Sequence, residues 1–220
     1  MPKKKPGNVK QSSVDAAKPQ FEFRTFGRNF VESVNHINQL SVIKHENTYE
    51  KVSDIYIISQ NNDINNIKVR NGKLKIKTYV REIDGLEHWT LLMKKKFPIK
   101  ATVLREKVFP AFQVITPPFA RKKYSLREFM ELIDIHPDLH KVNVHKQRST
   151  YQVNGHFCEI ANVSIDGNEM VTISSEATEI NKIDKVIKTI EKIKLEGIEN
   201  INYLQAIKRV IRMVDKPLAN

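Results

Sequence analysis

One cysteine, Cys158, stands alone in a chain of 220 residues. A lone thiol excludes an internal disulfide and a cysteine-rich zinc site, so nothing in the composition points to an oxidising compartment, and the cytoplasm is the expected location. Long apolar runs are missing too. The stretch from Val108 to Ile115 is interrupted by Pro110 and Gln113, far short of the roughly 20 apolar residues that cross a bilayer. No apolar segment follows the basic start of the chain, so neither a secretory signal peptide nor a membrane partner is expected. Neither a Gly-x-x-x-x-Gly-Lys loop nor a Rossmann glycine pattern is present, which disfavours the common nucleotide folds. His136 and His140 have a helical metal spacing, but Pro137 lies between them and no glutamate follows His136, so they do not form a zinc-protease motif.

What is present is enough for one folded unit. Hydrophobic residues make up 40% of the chain and aromatics 8%, sufficient for a core, and the length suits one domain. Residues 1–19 contain Lys3, Lys4, Lys5 and Lys10 among prolines with no apolar period, the pattern of a disordered basic tail. The expected domain therefore runs over 20–216. A formal net charge of +12 calls for an anionic partner. Charge alone leaves nucleic acid, an acidic membrane and a small polyphosphate open.

Strand and turn signals dominate the middle of the chain. Phe21, Phe23 and Thr25 alternate with Glu22 and Arg24, a strand period, and a helix is expected from about Asn29 to Leu40. Ile55–Ser59 is β-rich. Ile67–Arg70 and Lys73–Lys77 flank Asn71-Gly72, the strongest short hairpin signal, because both central residues of a type I′ turn need positive φ. Glu87–Pro98 reads as a strand, and 98–123 as proline-punctuated and patchily strand-like. Ser125 and Glu128 form a capping box that opens a helix ending before Pro137. Three further strands, 142–153, 157–165 and 169–176, are joined by Asn154-Gly155 and Asp166-Gly167. Apolar stripes through Ile183–Ile193 and Ile201–Val214 give two helices at the end.

A two-residue turn fixes register, so Arg70 faces Lys73 and Lys68 faces Lys75. Alternation then gathers Lys68, Arg70, Lys73, Lys75 and Lys77 on one face, with Ile67, Val69, Leu74 and Ile76 on the other. A solvated outer face is the plain alternative, since like charges directly opposite cost at most about 1 kcal/mol per pair. Ordinary surfaces mix signs, however, and this face has no acid. The same register logic places Arg148, Phe157, Glu159, Ala161, Thr172, Ser174 and Glu176 together, opposite Cys158, Ile160, Val171 and Ile173. Two carboxylates on adjacent strands suit a hard divalent cation whose shell phosphates complete. Amphipathic helices near both ends would cover the apolar faces, leaving the charges to line a closed barrel.

These residues resemble the CYTH family, the triphosphate tunnel fold of thiamine triphosphatases, inorganic triphosphatases and class IV adenylate cyclases. The family opens on a Glu-x-Glu-x-Lys strand, matched here by Gln20-Phe21-Glu22-Phe23-Arg24. The alternating basic strands at 68–70 and 73–77, and Arg148 ahead of Glu159 and Glu176, continue the likeness over about residues 20–180. The resemblance implies an α+β fold: an antiparallel closed barrel or tunnel of about eight strands with amphipathic helices outside. It implies Mg²⁺ or Mn²⁺ on Glu22, Glu159 and Glu176, and triphosphate on Arg24, Lys68, Arg70, Lys75, Lys77, Lys94 and Arg148. The implied activity is a metal-dependent triphosphatase acting through water, without a covalent protein nucleophile. Two positions depart from the family: Gln20 replaces the first glutamate with a poorer metal ligand, and Arg24 replaces lysine with a planar fork. A non-catalytic binder of polyphosphate or phosphorylated ligands is therefore the alternative, and nucleic-acid binding through the tail and lysine face a third.

Overall fold

The computed structural model describes residues 20–41, 50–153 and 155–218. The expected tail at 1–19 and the turn residue Asn154 lie outside the described residues. Ten strands alternate with short helices: β1 (Gln20–Gly27), α1 (Val31–Leu40), β2 (Glu50–Ser59), β3 (Asn65–Arg70), β4 (Lys73–Ile83), β5 (Leu86–Lys96) and β6 (Ile99–Lys100). Then follow α2 (Ala101–Val103), a π-helical turn (Leu104–Val108), α3 (Phe109–Phe112), β7 (Lys123–Tyr124), α4 (Leu126–Asp134), β8 (Leu139–Val153), β9 (His156–Ile165) and β10 (Asn168–Ala177). A 3₁₀ turn (Ile180–Lys182), α5 (Ile183–Lys192) and α6 (Tyr203–Val210) end the described chain. No described helix is long and apolar enough to cross a membrane.

Eight strands close into one antiparallel barrel in the order β1-β10-β9-β8-β2-β3-β4-β5, with β5 returning to β1 through Gln20↔Trp89 and Glu22↔Glu87. Local chemistry makes the hairpins: Asn71 and Gly72 have φ of 49° and 67°, the left-handed values a type I′ corner requires. The resulting register, Arg70↔Lys73 and Lys68↔Lys75, is the one alternation demands. Asp166-Gly167 turns the same way, and Asp84-Gly85 makes a corner of this kind that the strand pattern alone did not reveal. β2 begins at Glu50, five residues before its β-rich segment.

Two apolar layers cover the outside. Phe21, Phe23, Cys158 and Ile173 pack beneath α1 and α5 through Ile37, Ile183, Val186 and Ile190. Ile67, Val69, Leu74, Ile76 and Met93 pack beneath the segment from 101 to 112 and α4. The segment 98–123, expected to be patchily strand-like, contains only the two-residue pairing of β6 with β7 and is otherwise helical up to Phe112. Its apolar residues explain this: Ala101, Leu104, Val108 and Phe112 recur every three or four positions and bury one stripe. α4 carries the expected capping box, Ser125 N donating to Glu128 Oε2 at 2.8 Å and Glu128 N to Ser125 Oγ at 3.3 Å.

α6 does something different. Its Tyr203, Leu204 and Ile207 join Phe26, Tyr56, Ile58, Val142, Val144, Val163 and Ile165, residues on the inward parity of their strands. Lys208 anchors the far side of the helix, donating to Gln60 O at 2.9 Å and Asp63 Oδ1 at 2.7 Å in the β2–β3 loop. The barrel is thus stoppered at one end by aliphatic and aromatic side chains and open at the other.

Candidate functional site

Alternation places the charged residues in the open half. The cavity there is about 320 Å³ and is lined by Arg24, Lys68, Arg70, Lys75, Lys77, Lys146 and Arg148, with Glu22, Glu159 and Glu176. Seven cations against these three carboxylates and the buried Asp54 leave an excess of positive charge within low-dielectric walls, the complement of a compact polyanion. The volume lies at the small end of ordinary ligand pockets, ~300–1,000 Å³.

Three clusters organise the wall. At the floor, Asp54 is only 2% exposed and accepts from Lys68 Nζ at 3.0 Å and Arg70 Nη2 at 2.6 Å, with Lys146 Nζ 3.2 Å away. Burial opposes its charge, but Arg70, Lys68 and Lys146 outweigh that and hold its carboxyl far below the usual range. Lys146 is itself buried; its Nζ donates to Tyr56 Oη at 3.1 Å and stands 3.5 Å from the centre of the Tyr203 ring. Desolvation, then repulsion from Lys68, depresses its pKa strongly. The Tyr203 hydroxyl has no hydrogen-bond partner among the described residues.

Along β1, Arg24 is 8% exposed and spans two acids: Nε meets Glu22 Oε1 at 2.6 Å and Nη1 meets Glu159 Oε1 at 3.3 Å. Arg148 reaches the other oxygen of Glu159 at 3.3 Å and also pairs with Glu50. Glu159 is therefore held between two guanidinium groups.

The third cluster joins Glu22 and Glu176, which face each other across β1 and β10. Gln20 Nε2 donates to both, reaching Glu22 Oε2 at 3.0 Å, while Lys77 Nζ donates to Gln20 Oε1. Burial and the charge of Glu22 raise the Glu176 carboxyl. Burial alone would raise Glu22 as well, but Arg24, Lys77 and Lys146 bring it below the usual value. No group of three His, Cys, Asp or Glu side chains gathers as a metal site among the described residues. Of the three carboxylates expected to hold a metal, Glu22 and Glu176 are neighbours around one donor amide, while Glu159 lies between Arg24 and Arg148.

Lys75 lies on the wall, where burial and then repulsion from Lys77 and Lys94 lower its pKa to about 8. Burial brings Lys68 to about 8 despite Asp54. Lys94 pairs with Lys75 across β4 and β5 but is exposed at the rim and does not line the cavity. The structure thus brings together six of the seven phosphate candidates, Arg24, Lys68, Arg70, Lys75, Lys77 and Arg148. It adds Tyr56, Lys146 and Tyr203 to the lining, and the buried Asp54 as the partner of Lys68, Arg70 and Lys146. Lys146 was reachable from the sequence, since it precedes Arg148 by one strand period. Asp54 precedes the apolar run that marks β2, and nothing local signals that Tyr203 enters a barrel. Cys158 sits in the outer apolar layer, and burial pushes its thiol up to about 12, an inert side chain.

No family model and no curated protein matches the chain. Solved structures do. A candidate adenylate cyclase from Bacillus halodurans is 12% identical, with 86% of this chain and 97% of that one covered at a TM-score of 0.49. A candidate adenylyl cyclase from Hippeastrum, described as having a dominant triphosphatase activity, is 10% identical over 87% and 95% at 0.45. The mimivirus capping enzyme triphosphatase is 11% identical over 82% and 91% at 0.46. The closed eight-stranded antiparallel barrel with a charged interior, the architecture that the CYTH resemblance implied, rests on this chain's own strand pairing.

Proposed function

We propose that the cup binds the terminal phosphates of a triphosphate or short polyphosphate and that the chain is a metal-dependent triphosphatase. The observation that carries this reading is the convergence of seven cations on one enclosed wall with carboxylates beside them. Arg24 and Arg148 offer guanidinium forks suited to phosphate oxygens. Lys68, Lys75 and Lys146 have lowered pKa values in the free protein, and an incoming phosphate favours their protonated forms and is held by them. The same groups neutralise charge that builds on the leaving phosphate, preorganised and shielded from bulk water.

The donor chemistry suits Mg²⁺ or Mn²⁺ on Glu22 and Glu176, because such ions take one or two carboxylates and complete their shell with water and substrate phosphate. When bound, the cation supplies Lewis-acid polarisation of the phosphoryl oxygens. Gln20 orients the two carboxylates in the free protein, and Glu159 keeps Arg24 and Arg148 pointed at the phosphates. Phosphate release from tripolyphosphate, thiamine triphosphate and ATP, with Mg²⁺ or Mn²⁺ against EDTA, tests the reading. Folded protein that releases none from any of them refutes the enzyme. A non-catalytic binder is favoured by one observation, the Gln20 amide already bridging Glu22 and Glu176; tight tripolyphosphate binding that ignores EDTA and gives no product would select it.

A further inference from the structure

The cations do not stop at the mouth of the cup. Register across β3, β4 and β5 sets Lys68, Lys75 and Lys94 in one row and Arg70, Lys73 and Lys96 in the next. Lys68, Lys75 and Arg70 line the cavity; Lys73, Lys94 and Lys96 are exposed beyond it. The adjoining ribbon of β6 and β7 adds Lys100 directly opposite Lys123, both exposed. None of these five outer lysines pairs with an acid among the described residues. Like charges directly opposite weaken a sheet, so the adjacent pairs Lys73↔Lys96 and Lys75↔Lys94, with Lys100↔Lys123 on the ribbon that follows β5 in the chain, are an arrangement that an external anion would relieve.

We propose that the natural ligand is a linear inorganic polyphosphate longer than the cup can hold. Its terminal phosphates occupy the cavity and the following ones run over Lys94, Lys73 and Lys96 towards Lys100 and Lys123. This rests on the reading of the cup as a phosphate site. Two features select this chemistry. The stopper formed by α6 closes the far end, so a chain enters by its end and cannot thread through. The track also offers charge without stacking faces: the aromatic rings beside it, Phe97 and Tyr124, are turned inward onto Phe129 and Phe119. Grooves for single-stranded nucleic acid interleave their cations with exposed aromatic platforms.

The test is calorimetric titration of the full chain with tripolyphosphate and with long-chain polyphosphate at several salt concentrations, beside a variant carrying Lys73→Gln, Lys96→Gln, Lys100→Gln and Lys123→Gln. All four positions are exposed, and circular dichroism checks that the fold is kept. Long-chain polyphosphate is expected to bind the unmodified chain more tightly than tripolyphosphate and with a steeper salt dependence. The variant should lose roughly tenfold in long-chain affinity and show a shallower salt slope, with tripolyphosphate unchanged. Any contribution of the basic amino terminus is common to both proteins and cancels. Long-chain binding unaltered in the variant overturns the track and leaves the cup standing. Absence of tripolyphosphate binding in the unmodified chain overturns the cup. Single-stranded RNA that binds as tightly as polyphosphate, and weakens as much in the variant, overturns the inorganic ligand.

Discussion

Replacing Asp54 by asparagine removes the one carboxylate that faces Lys68, Arg70 and Lys146 together. The side chain is nearly isosteric and fully enclosed, so packing is preserved and the change is electrostatic. Breaking a buried ion pair by removing one partner costs about 3–5 kcal/mol, because the other partner is left buried and uncompensated. For a domain of this size a kcal/mol corresponds to about 2–4 °C, so Asp54→Asn should melt roughly 6–20 °C below the parent. Tripolyphosphate would supply the missing negative charge, and the variant should therefore gain more stability from saturating ligand than the parent does. Differential scanning fluorimetry with and without tripolyphosphate reads both quantities. The sign with pH is also determined: the Asp54 carboxyl is depressed in the fold from a usual value near 3.8. Its contribution is present above that pH and is lost on acidification towards the lower folded value. A variant as stable as the parent, or one that gains no more from tripolyphosphate, would refute the reasoning that Asp54 is the resting counter-ion of a phosphate site.

Lys68 and Lys75 should make ligand affinity and stability respond to pH in opposite directions. Both titrate near 8 in the folded chain against 10.5 for an ordinary lysine; between those values the unfolded state binds more protons, and the stability of the ligand-free protein from these groups rises with pH. Phosphate binding needs the protonated form, so tripolyphosphate affinity should fall above pH 8, by up to about tenfold per unit for each lysine; calorimetry at pH 7 and 9 that finds equal affinity rejects this. Gln20→Glu adds a third carboxylate beside Glu22 and Glu176, and Mn²⁺ titration followed by electron paramagnetic resonance should show binding tighter by roughly tenfold, whereas unchanged Mn²⁺ affinity would remove that pair from consideration as the cation site.

Much of the wall could be read directly. Strand alternation and the Asn-Gly and Asp-Gly corners act within a dozen residues, because a type I′ turn admits only residues that tolerate positive φ and thereby sets which side chains share a face. That local logic placed Lys68, Arg70, Lys75 and Lys77 together, and grouped Arg148 with Glu159 and Glu176, all of which line the cavity. The helical segment from 101 to 112 was obscured by Pro98 and Pro110, although its apolar spacing was present.

Other features have no local signature. Closure of the barrel depends on β1 meeting both β10 and β5, and on β2 meeting β8 some ninety positions away, as in Asp54↔Val144. Only that long-range pairing brings Asp54 to Lys146 and Arg24 to Glu159. The stoppering of the barrel is of the same kind: an amphipathic stripe announces that α6 will bury Leu204 and Ile207, but not against which surface. By itself, then, the sequence determined an antiparallel β architecture and one wall of cations, since alternation and turn chemistry are local. The tertiary structure alone decided that the expected barrel is stoppered at one end by α6 and that a buried aspartate meets three of its cations, since contacts between distant segments depend on the packing of the whole chain.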